Sequence, residues 1–218
     1  MDKGEYWLLD SVIEARYPLM WLASEDIEGR FNKRNHGLKR DELVSVLKHL
    51  FWRGDLFAQS LEKSGPKDRF IPTQNEIEEA LEGRLDCVYG LTLQGGARWE
   101  EVSRPHWERY VSAWVYADPQ EGQIVGSDRG LVEKYDSMSH YVWDISVVPG
   151  SKRWDVLEPW QATYWKELPL GHRVRFSFQW VERLPDWKTE PAISEWLAEI
   201  NNWYTPYTPD LKTELDQK

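Results

Sequence analysis

A single cysteine, Cys87, and the lack of any run of about 20 apolar residues set the first limits on this chain. One thiol excludes a disulfide framework and a thiolate-rich zinc site. Without a long apolar run there is no transmembrane helix. Met1-Asp2-Lys3-Gly4-Glu5 has no basic stretch leading into an apolar one, so no export signal is expected and the cytoplasm is the expected compartment. Positive charge is also in short supply, with 27 Lys and Arg against 37 Asp and Glu. The deficit is spread along the chain: residues 1–104 hold 15 basic and 19 acidic side chains, residues 105–218 hold 12 and 18. A protein that binds nucleic acid needs a basic footprint to displace counterions from phosphates. Neither half supplies one in bulk, and acidity of this kind suits a basic protein partner.

Catalytic signatures are missing as well. Gly90-Leu91-Thr92-Leu93-Gln94-Gly95-Gly96 is followed by Ala97-Arg98 and so does not make a phosphate-binding P-loop. The five histidines, at 36, 49, 106, 140 and 172, show no spacing of a zinc or iron site. Asp136 and His140 stand four apart, which reads as a surface pair before it reads as two metal ligands. Cys87 beside Val88 reads as a core residue, and no G-x-S-x-G elbow is present. The expectation is a protein without enzymatic chemistry and without a metal or cofactor.

Aromatic residues, in contrast, are plentiful. There are 14 tryptophans, and 41% of the residues are hydrophobic, enough for one large or two small cores. Trp7, Trp52, Trp99, Trp143, Trp180 and Trp196 lie on apolar faces and are expected in the core. A second set sits among polar residues in predicted loops: Trp154, Trp160, Tyr164, Trp165, Trp187, Trp203 and Tyr204. Trp and Tyr dominate binding hot spots, so these seven are the candidate partner-binding residues. Closing the core of a loop-rich domain is the alternative role for each.

Periodicity predicts an α+β protein. A helix is expected over 5–23, broken at Pro18, followed by a polar loop over 29–39. Leu43, Val46, Leu47, Leu50 and Phe51 mark one face of a helix over 40–53 that Gly54 stops. Leu56–Gln59 reads as a strand with a return at Arg69–Pro72. Thr73 and Glu76 form a capping box that opens the next helix, and Cys87–Thr92 is a strand. Beyond Pro105 strands dominate: 110–117, 123–126, 143–148, 154–157 and 172–181, with helices at 129–138 and 192–201. The strand from His172 is the clearest, since Val174, Phe176, Phe178 and Trp180 alternate with Arg173, Arg175, Ser177 and Gln179. Expected domains are 1–104 and 105–211, the second β-rich with Trp-lined loops, and a disordered tail at 212–218.

The stretch Leu43–Trp52 followed by Gly54-Asp55-Leu56-Phe57, with Tyr89-Gly90-Leu91-Thr92-Leu93-Gln94-Gly95 after it, resembles a bacterial winged-helix module over about residues 5–104. The resemblance implies a recognition helix at 40–53 and a wing after it. It also implies a basic DNA-reading surface, for which Arg30, Lys33, Arg34, Lys39 and Arg40 are the candidates. The chain departs from that pattern. Helix 40–53 is mixed in sign, and the next helix carries Glu76, Glu78, Glu79 and Glu82. The leading expectation is therefore a protein-binding protein, in one concrete version an immunity- or antitoxin-type inhibitor of a basic toxin domain. The alternative is a winged-helix transcription regulator with a C-terminal ligand-binding domain.

Overall fold

The computed structural model describes residues 1–61, 68–182, 195, 196, 198 and 202–206. These residues form an α+β protein of two compact units. Among the described residues the first unit is Met1–Arg104 with Thr163–Trp165 and Pro206, and the second is Pro105–Ala162 with Lys166–Thr205. Trp187, the expected tail at 212–218 and most of the expected helix over 192–201 lie outside the described residues.

In the first unit, α1 (Lys3–Asp10) starts at Asp2, whose carboxylate accepts the Glu5 N–H. It ends well short of the expected helix over 5–23. Val12 and Ile13 are buried in the turn that follows, and Tyr17-Pro18 is a short strand, β1. A 3-10 turn over Leu19–Ala23 follows the break at Pro18, and a short helix α2 (Ile27–Phe31) replaces the first part of the expected loop. α3 (Arg40–Trp52) buries Leu43, Val44, Leu47, Leu50 and Phe51. Val44 takes the place expected for Val46, because the buried stripe is centred one residue to the side. Next come β2 (Leu56–Ser60), β3 (Arg69–Phe70), α4 (Gln74–Leu81), β4 (Cys87–Leu91) and α5 (Leu93–Ser103). The antiparallel sheet runs β1-β4-β2-β3. The capping box read from sequence, Thr73 with Glu76, is in place on α4, and on α5 Thr92 accepts from the Gly95 N–H.

The core of this unit holds Leu8, Leu9, Leu47, Leu50, Phe51, Tyr89, Leu91 and Trp99. Trp99 is fully buried, and its indole N–H is satisfied by Asp10 Oδ1 at 3.0 Å. Thr163-Tyr164-Trp165 completes the packing. The Tyr164 hydroxyl donates to Val12 O and accepts from Leu91 N–H, both at 2.6 Å. Trp165 donates its indole N–H to Ile13 O at 2.8 Å and sets its ring edge-on to Trp99. A Cβ on Gly96 would stand 2.2 Å from the Trp165 ring, so only glycine leaves room for it.

The second unit contains β5 (Val111–Ala117), β6 (Gln120–Gly126), α6 (Arg129–Trp143), β7 (Ile145–Val147), β8 (Arg153–Leu157), β9 (Trp160–Gln161), β10 (Glu167–Leu168) and β11 (Gly171–Trp180). Its main sheet runs β5-β6-β11, with β7 and β8 both pairing to β11. The alternation in β11 is realised: Val174, Phe176 and Phe178 pack with Ile124, Val132 and Ile145 in one core. α6 is longer than expected. Trp143 is its last residue rather than the first of a strand, and Asp144 follows at φ +52°. No described helix is long and apolar enough to cross a membrane.

Candidate protein-contact surface

The expected partner-binding tryptophans are drawn inward more than the polar sequence around them suggests. Trp160, Trp165 and Trp203 are 4%, 6% and 6% exposed. In the second unit Trp203 lies 4.6 Å from Tyr110 and 5.0 Å from Trp107 between ring centroids, and Trp160 stacks on Tyr110 at 6.1 Å. Tyr204 leans on Trp203, and the His106 N–H donates to Trp203 O. Tyr164 and Trp165 fill the first unit as described. Trp154 is half-buried against the sheet core of the second unit, with the Arg129 guanidinium 4.9 Å above its ring.

The basic set divides in a similar way. Lys33 reaches Asp10 Oδ2 at 3.1 Å and sits 4.1 Å over the Trp7 ring. Burial lowers its pKa, and Asp10 partly offsets the shift. Arg40 pairs with Glu82 at 3.6 Å and donates to Glu78 O. Arg30 covers the Trp21 ring. Arg34 and Lys39 are exposed. Lys33 and Arg40 are thus already partnered by carboxylates.

The most exposed large apolar side chain among the described residues is Trp52, at 78%, expected in the core. Leu93 is close behind at 76%. Phe51 is the last residue of the buried stripe of α3. One further step of 100° carries Trp52 past it, onto the side of Ser45, Lys48 and His49. Trp180, also expected in the core, is 50% exposed at the end of β11.

Trp52 is held on a pinned helix end. Gly54, at φ +79°, closes a Schellman turn: Asp55 N–H donates to Leu50 O and Gly54 N–H to Phe51 O, both at 3.0 Å. Asp55 is fully buried, and its Oδ2 accepts from Arg53 Nε at 2.5 Å and from the Arg98 guanidinium. Glu5 takes a second arm of each arginine, at 3.2 and 3.7 Å. The backbone is held too. The Gln94 amide donates to Arg53 O at 2.8 Å, and the Thr92 hydroxyl to Gly54 O at 2.6 Å. Thr92 and Gln94 flank Leu93, so the second exposed apolar residue belongs to the same corner. Apart from Arg53 with Asp55, each side-chain link spans 38 residues or more, which is why no local pattern marks this network.

Acidic side chains occur elsewhere on α3 and on α4. α3 exposes Asp41 and Glu42, and α4 with its cap carries Glu76, Glu78, Glu79 and Glu82. The two basic residues of α3 turn onto α4: Arg40 as above, and Lys48 to Gln74 Oε1 at 3.3 Å. Asp41 and Glu79 make no ion pair among the described residues. Cys87 is 2% exposed, and burial pushes its thiol up to about 11, so it stays protonated at neutral pH and is a packing residue. Among the described residues no three His, Cys, Asp or Glu side chains cluster as a metal site. Asp136 is buried and paired with Lys152. No protein-family model matches the chain, and neither a curated protein nor a solved structure matches it.

Proposed function

We infer that this protein works by binding a basic protein through the surface of α3 and α4 that ends at Trp52 and Leu93. The reading rests on one observation above all: a tryptophan 78% exposed on a helix end pinned by four side chains. A rigid, presented aromatic ring loses little entropy on binding and is the commonest kind of hot spot. Five carboxylates and two arginine or lysine residues within α3 and α4 give these helices an acidic balance that would steer a basic partner. An immunity- or antitoxin-type inhibitor of a basic toxin domain is the concrete version of this role. No step of chemistry is assigned to the chain.

The regulator reading keeps support from the order α3, Gly54, β2, which matches the winged-helix resemblance. Lys33 and Arg40, two of its five phosphate-contact candidates, are already engaged by Asp10 and Glu82.

Trp52→Ala tests the proposal. The ring is mostly in solvent, so the change is expected to move stability by no more than about 0.5 kcal/mol. It is expected to weaken capture of the partner by about 2 kcal/mol or more, roughly 30-fold in Kd. The measurement is retention of a basic protein from cell extract after nuclease treatment, then titration of that protein against both chains. Equal affinity for wild type and Trp52→Ala removes the assignment. Recovery of nucleic acid alone, lost on nuclease treatment, favours the regulator.

A further inference from the structure

We propose that the face of the main sheet turned away from the core of the second unit binds a phosphate monoester of a small hydroxylated molecule, with Arg153 and Arg175 taking the phosphate. The proposal goes beyond the protein-contact reading and does not depend on it.

The pleat decides which side chains share this face. Val174 and Phe176 pack in the core, so Arg173, Arg175 and Ser177 project to the opposite side. The register puts Arg175 directly across from Gln123 of β6 on one edge and from Arg153 of β8 on the other. Ser177 faces Glu121, and Glu121 faces Tyr116 of β5. These side chains line a cavity of about 260 Å³. That lies just below the usual range for drug-sized ligands and fits something smaller.

The charges on this face are unbalanced. Like charges directly opposite each other in a sheet destabilise it, yet Arg153 and Arg175 are cross-strand partners. Asp155 is the carboxylate beside them, and its Oδ2 already serves Arg173 at 3.1 Å and Arg175 at 3.0 Å. The Arg153 guanidinium has no hydrogen bond or ion pair among the described residues. Two guanidinium forks across one gap match the charge and the planar acceptor edges of a phosphate dianion.

The rest of the lining narrows the ligand. The Tyr116 and Ser177 hydroxyls and the Gln123 amide have no protein partner among the described residues, so their donors and acceptors are open to a ligand. Glu121 lines the same cavity. Its carboxylate disfavours a polyphosphate and accepts hydrogen bonds from ligand hydroxyls. A phosphate at the arginine end and hydroxyls at the Glu121 end satisfy both.

Isothermal titration of the full chain with ribose 5-phosphate, ribose and inorganic phosphate tests the assignment. Ribose 5-phosphate is expected to bind at one site, inorganic phosphate more weakly, and ribose without measurable heat. Arg153→Gln is expected to lower ribose 5-phosphate affinity at least tenfold without lowering the melting temperature, because it removes an unpaired charge facing another. Arg153→Lys keeps the charge, loses the fork, and is expected to fall between. Glu121→Gln is expected to weaken ribose 5-phosphate and leave inorganic phosphate unchanged. Absence of saturable binding, or equal affinity in wild type, Arg153→Gln and Arg175→Gln, overturns the site. Inorganic phosphate binding as tightly as ribose 5-phosphate overturns the ester assignment.

Discussion

Asp55→Ala is expected to destabilise the first unit by about 3–5 kcal/mol, the range found when one partner of a buried ion pair is removed. Asp55 is fully buried, and it is the carboxylate on which Arg53 and Arg98 converge. Without it, two guanidiniums about three-quarters buried face each other with Glu5 as their remaining acid. Alanine keeps the backbone bonds of residue 55, its N–H to Leu50 O and its carbonyl from the Thr92 N–H, so the loss is that of the carboxylate. Native-state hydrogen exchange suits a chain of two units, since it reads each region separately. Protection of the β4 and α5 amides is expected to fall by roughly two to three and a half powers of ten, at about 1.4 kcal/mol per power. Arg98→Leu combined with Asp55→Leu is expected to cost less than Asp55→Ala alone, because it removes a stranded charge together with its partner. A fall below tenfold in Asp55→Ala would mean that water already solvates the arginines.

Trp165→Ala is expected to cost about 3–5 kcal/mol, the range for deleting a buried large aromatic. The hole would open beside Gly96 and Trp99 and would leave Ile13 O without its indole donor. Trp165→Phe separates the two contributions: it restores most of the bulk but not the N–H, and about 1–3 kcal/mol of the loss is expected to remain. Urea unfolding with the same exchange readout measures both. A Trp165→Ala chain that folds like wild type and fails only in partner capture would make this residue a contact residue instead.

Local chemistry made much of the fold legible. Thr73 with Glu76, Gly54 after α3 and the alternation from Val174 to Phe178 each act within a few residues, and each is found where its pattern puts it. What stayed hidden depends on distance along the chain. Trp160, Trp165 and Trp203 lie among polar neighbours, yet their rings turn toward Tyr110, Gly96 and Trp107, far away in sequence. Trp52 shows the converse. It directly follows the buried Phe51, and a helical step of 100° is the whole difference between core and solvent. The Asp55 network was not legible either, since nothing near Asp55 announces Arg98, 43 positions on.

The three residues Thr163-Tyr164-Trp165 also bear on how the chain is made. They bond to Val12 and Ile13 across 152 positions of sequence. The first 104 residues therefore leave the ribosome as an incomplete core, with the Ile13 carbonyl lacking its indole donor. Another 61 residues must be added before Trp165 exists, about 3–12 s at ordinary rates of synthesis. In that interval the nascent N-terminal half is an unfinished object, and the last piece of its interior comes from the translation of the other half.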